Sequence, residues 1–492
     1  MLLDKLPNEL LNKIIILARV DNKKGIRNLR LVSKRFNELV SPILFAKFRL
    51  RHDQADPPVG PFATMQTVLT AGRSSIGPHV KTLEFRIFPG FSFSPLDLGP
   101  WFDFFHVFIP ALTNVSSVNW NLMLAREDPR SGNRYPPRGI EKLTETLARL
   151  PCLRELSLEL DGTGEYLEDD LPLEFFANLR TFNVHWDCKI RPHNRIVTQL
   201  SGVLARSPSL ENFSFVVRRT LYRSEKFGPP IRLDELFEAT LLNELDMKLK
   251  SLETRGVVVA EGDFQRYVRH FKHLERLRIR FDPSPSAAAN IGSIFKVLSS
   301  ERIFLKNIHI DVVHHPLVFD YLSSYSGIEL LALKPGHPQD DSRPLMDRFF
   351  SSVLPRHSGS LRSLRLGGNL KTVWSRALSA HHLAQISECK VLEYICCWLW
   401  LEPEDVTVKN SEVLKRWLEA CSQLPDLQKF KCPPVCLKQR DYSNPWGVIV
   451  RTPGGNFVDP DRRVRSFITG AVRNFKRANE PQYEIDESYM YE

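Results

Sequence analysis

Leu274-Glu275-Arg276-Leu277-Arg278-Ile279-Arg280 sets apolar residues at its first, fourth and sixth positions, with charged residues between them. Side chains alternate across an extended chain, so Leu277 and Ile279 read as the inward face of a strand. Arg276, Arg278 and Arg280 then read as its outward face. The same apolar-x-x-apolar-x-apolar spacing starts at Val80, Val115, Leu153, Leu179, Leu210, Leu242, Leu305, Ile328, Leu361, Leu392 and Leu427. These twelve starts lie 23 to 38 residues apart, as expected of a repeat array and not of one mixed domain. The longest gap holds Arg126 to Gly139, whose Pro and Gly content predicts a surface loop. Helical patterns lie between many strand patterns, as at Ile140 to Leu150, Thr198 to Ala205 and Phe264 to Phe271. The expected fold class is α/β, with each strand followed by a helix and the units stacked into a curved solenoid with a parallel sheet.

The array does not account for the first fifty residues. Leu6-Pro7-Asn8-Glu9-Leu10-Leu11 opens a helix, with Pro7 in its first turn, where a missing N–H costs nothing. Leu10, Ile14 and Leu17, with Leu11 and Ile15 beside them, give that helix a wide apolar face. Gly25 punctuates the chain, and Ile26, Leu29 and Leu31 begin a second helical piece. Ser33 is placed to cap a third helix carrying Phe36, Leu39 and Val40, which Pro42 is expected to stop. Three short helices in about forty residues leave apolar surface over, which either seals a larger domain or waits for a partner.

Leu6-Pro7-x-Glu9-Leu10-Leu11-x-x-Ile14 and Leu29-x-Leu31-Val32-Ser33-Lys34-Arg35-Phe36, so spaced, resemble the F-box motif. The repeats resemble the leucine-rich-repeat family in a long, irregular form, so the chain looks like a fungal-style F-box protein with a C-terminal repeat domain. The resemblance implies docking on a Skp-type adaptor that joins a cullin scaffold. The implied adaptor contacts are Leu6, Pro7, Leu10, Ile14, Leu31, Val32, Ser33 and Phe36. Phe36 stands where many F-boxes carry Trp, which keeps the aromatic ring without the indole N–H. The repeat family's Asn, eight positions after each start, is present only at Asn369, with Asp161, Asp187 and Asp282 in its place elsewhere. The expected organisation is an F-box over 1–50, a repeat solenoid over 60–437, a hairpin and capping helix over 438–479, and an acidic disordered tail over 480–492.

Composition narrows the partners. Of 492 residues, 67 are basic and 57 acidic, a formal charge of +10 that by itself argues for no nucleic acid. No run of basic residues with interleaved aromatics appears. Asp4, Lys5, Asn8, Glu9 and Lys13 interrupt the N-terminal apolar stretch, so it does not read as a signal peptide. No stretch approaches the roughly 18 to 20 apolar residues needed to cross a bilayer. The expectation is a cytosolic or nuclear protein with reduced cysteines.

No catalytic motif stands out. The phosphate-cradling, dinucleotide, nucleophile-elbow and zinc-protease patterns are all absent from the sequence. Cys432 and Cys436 lack a second pair at zinc-finger spacing, Cys396 and Cys397 read as core, and His314-His315 and His381-His382 as surface or loop histidines. The chain is thus expected to be non-catalytic, without cofactor or metal, either as the substrate-recognition subunit of a ubiquitin ligase or as an adaptor-bound scaffold without that role.

The outward strand positions are where a substrate would lie. They hold Glu155, Ser157 and Glu159, then Glu244, Asp246 and Lys248, then Arg276, Arg278 and Arg280. Lys334, Arg365, Lys429 and Lys431 follow, with Tyr394 and Trp398, so the face is expected to run from acidic to basic. Arg276, Arg278, Arg280, Lys334 and Arg365 are candidate contacts for an acidic or phosphorylated protein segment, because guanidinium groups match carboxylate and phosphate geometry. The alternative is a solvated face whose arginines pair with Glu244 and Asp246 on the adjacent strand.

Overall fold

The computed structural model describes residues 6–21, 23–52, 77–87, 106, 108–123, 140–162, 172–188, 194–217, 231–280, 285–311, 315–334, 343–367, 374, 378–397, 399–400, 408–431, 434–435 and 484–486. The chain forms two compact units, Met1–Ser251 with Arg255–Val258 and Arg269–Phe271, and Leu252–Thr254 with Val259–Val268 and Lys272–Glu492.

The first unit opens with helices α1 (Asn8–Asp21), α2 (Lys23–Leu29) and α3 (Lys34–Phe45). Ser33 caps α3 as expected, its hydroxyl accepting the Phe36 N–H at 3.2 Å. Pro42 does not stop α3, which runs on to Phe45. The proline gives up one ladder hydrogen bond, but Ile43 and Leu44 pack against the bundle core and hold the last turn in place.

The strands then run in chain order, each parallel to the next: β1 (Lys47–His52), β2 (Thr82–Ile87), β3 (Ser117–Met123), β4 (Glu155–Gly162), β5 (Thr181–Cys188) and β6 (Asn212–Val217). β1 was not expected. It pairs Phe48 with Leu83 and Leu50 with Phe85, so the ladder begins at Lys47, inside the span assigned to the F-box. The connections carry α4 (Ile140–Ala148), α5 (Asn194–Ala205) and α6 (Leu233–Leu242), or single 3-10 turns such as Leu173–Phe175. Phe264 to Phe271, expected as one helix, forms two single turns at Asp263–Arg266 and Val268–Phe271.

The second unit continues the plan with β7 (Ser251–Arg255), β8 (Arg276–Arg280), β9 (Asn307–Ile310), β10 (Leu330–Leu333), β11 (Ser363–Leu366), β12 (Tyr394–Cys397), β13 (Lys429–Lys431) and β14 (Glu484–Asp486). From β8 onward each pairs in parallel with the next. Among its helices are α7 (Pro285–Ser300), α8 (Pro316–Ser324), α9 (Arg343–Arg348), α10 (Ala380–Ser387) and α11 (Val408–Ser422). This is the parallel strand-and-helix repeat architecture that the spacing predicts.

Two readings of the ladder need correction. Leu242 starts no strand: it ends α6, is exposed, and is followed by Glu244 at φ 51°, a left-handed turn that closes the helix. The true repeat is Leu249-x-x-Leu252-x-Thr254, whose three residues are buried. A spacing of three fits a helix face as well as a repeat start, so spacing alone does not separate the two. The acidic tail, expected to be disordered, places Glu484–Asp486 beside Lys429–Lys431 as a parallel strand. The expected loop over Arg126–Gly139, the hairpin at 448–458 and the helix at 462–478 lie outside the described residues.

One backbone device recurs at the entry to the strands. The carbonyl just before a strand accepts the N–H groups of two consecutive residues of the next repeat. Ser116 and Ser117 donate to Lys81, Arg154 and Glu155 to Ser116, and Arg362 and Ser363 to Glu329. These strand entries are thereby fixed through the backbone.

Buried histidines brace some turns. His270 accepts the Met247 N–H on Nδ1 at 3.2 Å, so its Nε2 carries the proton that faces the Thr240 hydroxyl at 3.0 Å. His357 accepts the Ile328 N–H on Nδ1 at 3.3 Å, with Nε2 donating to the Leu322 carbonyl at 2.8 Å. Burial, aided by the Arg269 charge, pushes His270 down to about 4, and burial lowers His357 as well. Between about pH 6.5 and 4 the unfolded chain therefore binds a proton at His270 that the folded chain does not. Stability is expected to fall as pH drops through that window, by up to about 3 kcal/mol for His270. Urea unfolding at pH 7 and pH 4.5 measures it, and a His270→Gln variant should show a shallower dependence.

Candidate interaction surfaces

The three N-terminal helices share a core of Leu11, Ile15, Ile26, Phe36 and Val40, with Leu6, Leu29 and Leu39 packed against it. Arg35 ties α3 back to the start of α1, donating to the Leu6 carbonyl and to Asn8 Oδ1, both at 2.7 Å. This core uses only one stripe of α1. Leu10, Ile14 and Leu17, at spacings of four and three, form a neighbouring stripe that stays exposed. The turn between α2 and α3 adds Leu31, 86% exposed, and Val32, 65% exposed. Both turn residues are held by backbone bonds, Leu31 N–H to Asn28 and Val32 N–H to Leu29. With Ile16, exposed on another side of α1, six large apolar side chains on two elements thus face outward from the bundle core.

Of the eight expected contacts, Leu10, Ile14, Leu31 and Val32 carry this exposed apolar surface, with Pro7 also exposed. Ser33 is half-buried and spends its hydroxyl on the cap, and Leu6 is a partial member of the core. Phe36 departs from the expectation. The residue is only 4% exposed and lies inside the bundle core with Leu11 and Ile15. Leu17, omitted by the motif, belongs to the exposed stripe and was legible from the spacing alone.

The second surface is the polar face of the strands in the second unit. Arg278 pairs with Glu253 on β7, Nη1 to Oε1 at 3.1 Å. Glu244 and Asp246, its expected partners, lie off the ladder; Asp246 instead meets Arg269 at 3.5 Å. On the next strands Asp311 accepts from His309 at 3.2 Å and meets Lys334 at 3.6 Å. Burial raises the Asp311 carboxyl, but the His309 bond and the charges of Lys334, His309 and Arg280 outweigh it and hold it below its ordinary value. Arg276 is exposed at the edge of β8, and Arg365 lies over the Tyr394 ring at 5.0 Å. The five expected cations therefore share one strand face, with Arg278 and Lys334 already neutralised locally. Trp398 lies outside the described residues.

In the first unit the corresponding face mixes charged residues, among them Glu84, Arg86, Glu155, Glu159 and Asp187, with uncharged polar ones. Asn183 donates to Ser157 at 3.1 Å, Asn212 to Thr181 at 3.2 Å, and Asn121 to Glu159 at 2.8 Å. It does not begin acidic, as expected: β1 carries Lys47 and Arg49, both paired with Glu84.

Several other titratable residues are buried in the packing. Cys389, Cys396, Cys397 and Cys421 are buried, and burial pushes the Cys389 thiol up to about 12. His382, expected at the surface, is instead buried against Phe350, with centroids 4.4 Å apart, and its Nε2 lies 3.0 Å from Asp347. Among the described residues no three His, Cys, Asp or Glu side chains gather as a metal site requires, and no helix is long and apolar enough to cross a membrane.

No family model matches the chain, and no curated protein does. Among solved structures it is similar to the complex of Rad7 and Elc1 in yeast, at 13% identity, over 94% of this chain and 99% of that one, with a TM-score of 0.37. It is also similar to the leucine-rich repeat-containing protein LegL7 from Legionella pneumophila, at 13% identity, over 86% and 98% of the two chains, with a TM-score of 0.28.

Proposed function

We propose that this chain is the substrate-recognition subunit of a Skp–cullin–F-box type ubiquitin ligase. The observation that carries the reading is the exposed apolar set Leu10, Ile14, Leu17, Leu31 and Val32 on a helical bundle that has no core position left for them. Clustered apolar side chains on a small closed module mark a partner site. The resemblance of Leu10, Ile14, Leu31 and Val32 to positions of the F-box motif supports a Skp-type adaptor as that partner. The repeat ladder supplies a long row of polar strand positions, on which Arg276, Arg278, Arg280, Lys334 and Arg365 receive an acidic or phosphorylated segment of a protein substrate. Catalysis belongs to the assembled complex, and this chain contributes proximity.

The test is reconstitution. The full chain mixed with a purified Skp-type adaptor should co-elute with it from a size-exclusion column as one complex, and recruit a cullin when that is added. Separate elution at micromolar concentration overturns the reading. Ubiquitination of a captured protein then separates a substrate receptor from a scaffold.

A further inference from the structure

The last strand of the second unit is supplied by the acidic C-terminal segment. Glu484, Ile485 and Asp486 pair in register with Lys429, Phe430 and Lys431. Fifty-two residues separate the two segments in sequence. The alternation matches on both sides: acid, apolar, acid beside cation, apolar, cation. Phe430 is fully buried and stacks on Trp417 at 6.1 Å, so Ile485 takes the register position beside a fixed apolar anchor. One row runs Arg365, Cys396, Lys431, Asp486, and another Ser363, Tyr394, Lys429, Glu484. Arg365 lies over Tyr394, bringing a third cation to the same strand face. Glu484 and Asp486 thus stand next to the cationic end of the ladder, and opposite charges on neighbouring strands favour that pairing.

A three-residue strand is weak, because it offers few backbone bonds. Sheet edges of this kind accept extended peptides by strand addition, with backbone bonds giving affinity and alternate side chains giving specificity. We infer that the Lys429–Lys431 edge is an acceptor for an acidic extended peptide, with Glu484–Asp486 as its resident occupant, so that a partner must displace the chain's own C-terminus to bind there. The inference concerns the isolated chain and does not rest on adaptor docking or on ubiquitination.

The probe is a fluorescent peptide of this chain's residues 481–492, titrated in trans against three full-length chains by anisotropy. A Glu484→Lys, Asp486→Lys chain, whose own segment is repelled, should bind it at least ten times more tightly than the native chain, and more weakly as salt rises. A chain carrying Lys429→Glu and Lys431→Glu in addition to those two changes should not bind it, since its own reversed segment pairs in cis and the probe is repelled. Equal binding by the native and tail-reversed chains would show that nothing is being displaced. Absence of binding to the tail-reversed chain, or undiminished binding to the four-fold variant, overturns the acceptor itself.

Discussion

Changing Leu31 and Val32 together to aspartate is expected to weaken adaptor binding by at least about a hundredfold, roughly 2.7 kcal/mol or more. Each native side chain brings about 1.5 to 3 kcal/mol when its surface leaves water, and an unpaired carboxylate in the same contact adds a desolvation cost. Because both side chains already face solvent, the fold should not register the change. The melting temperature of the double variant is expected to stay within a few degrees of the native value, as surface substitutions usually do. Phe36→Ala makes the reverse case: its ring lies in the bundle core, so stability falls first and adaptor binding follows. Calorimetric titration of purified adaptor into each folded variant checks both. Full affinity in the Leu31, Val32 double variant would remove the turn from the docking site.

The second large effect concerns the first unit's core. Phe237 on α6 is fully buried, 5.8 Å from the Phe213 ring, 5.7 Å from Phe271 and 6.0 Å from His270. Its removal unpacks a strand, a helix and a histidine-braced turn at one point. Phe237→Ala should cost about 3 to 5 kcal/mol, while Phe237→Leu should cost clearly less because it keeps most of the volume. Stacked repeats couple to their neighbours, so the urea transition of the alanine variant is also expected to broaden or split. A single transition within 1 kcal/mol of native would mean that the aromatic cluster is not a cooperative centre.

What could be read from the sequence followed the strength of the local pattern. Strands such as Leu156-Ser-Leu158 and Leu277-Arg-Ile279 alternate sharply between buried and solvent-facing positions, and they formed where the spacing put them. Leu242 misled because its neighbours satisfy a helical period equally well, and only the left-handed turn at Glu244 settles the matter. Lys47–His52 went unread because its apolar residues Phe48 and Leu50 sit directly behind a helix and merge with its pattern. The strand at Glu484–Asp486 has too little apolar content to announce itself; only its pairing partner makes it a strand.

The candidate site was legible in part. The exposed stripe on α1 and the cations of β8 follow from periodicity, since period alone decides which residues share a face. Which member of a motif turns inward does not: Phe36 is buried by packing with Leu11, Ile15 and Ile26 of the other helices, a tertiary outcome. The pairing of Arg278 with Glu253 was likewise hidden, because it depends on which strand is β8's neighbour. His270 and His357 carried no signal, for a lone histidine before a strand resembles any surface residue until its backbone partners are known.

The carbonyl that receives two N–H groups at a strand entry leaves its own side chain unconstrained: among the entries holding it are Lys81, Ser116, Arg154 and Glu329. What must be preserved from unit to unit is a backbone hinge point and an inward pair of buried residues, not a length. Connecting segments can therefore lengthen, shrink or exchange a helix for a single turn without moving the strand that follows. A chain built this way can gain or lose a whole unit by duplication or deletion between two such hinge points, with the cut ends meeting an identical acceptor on either side.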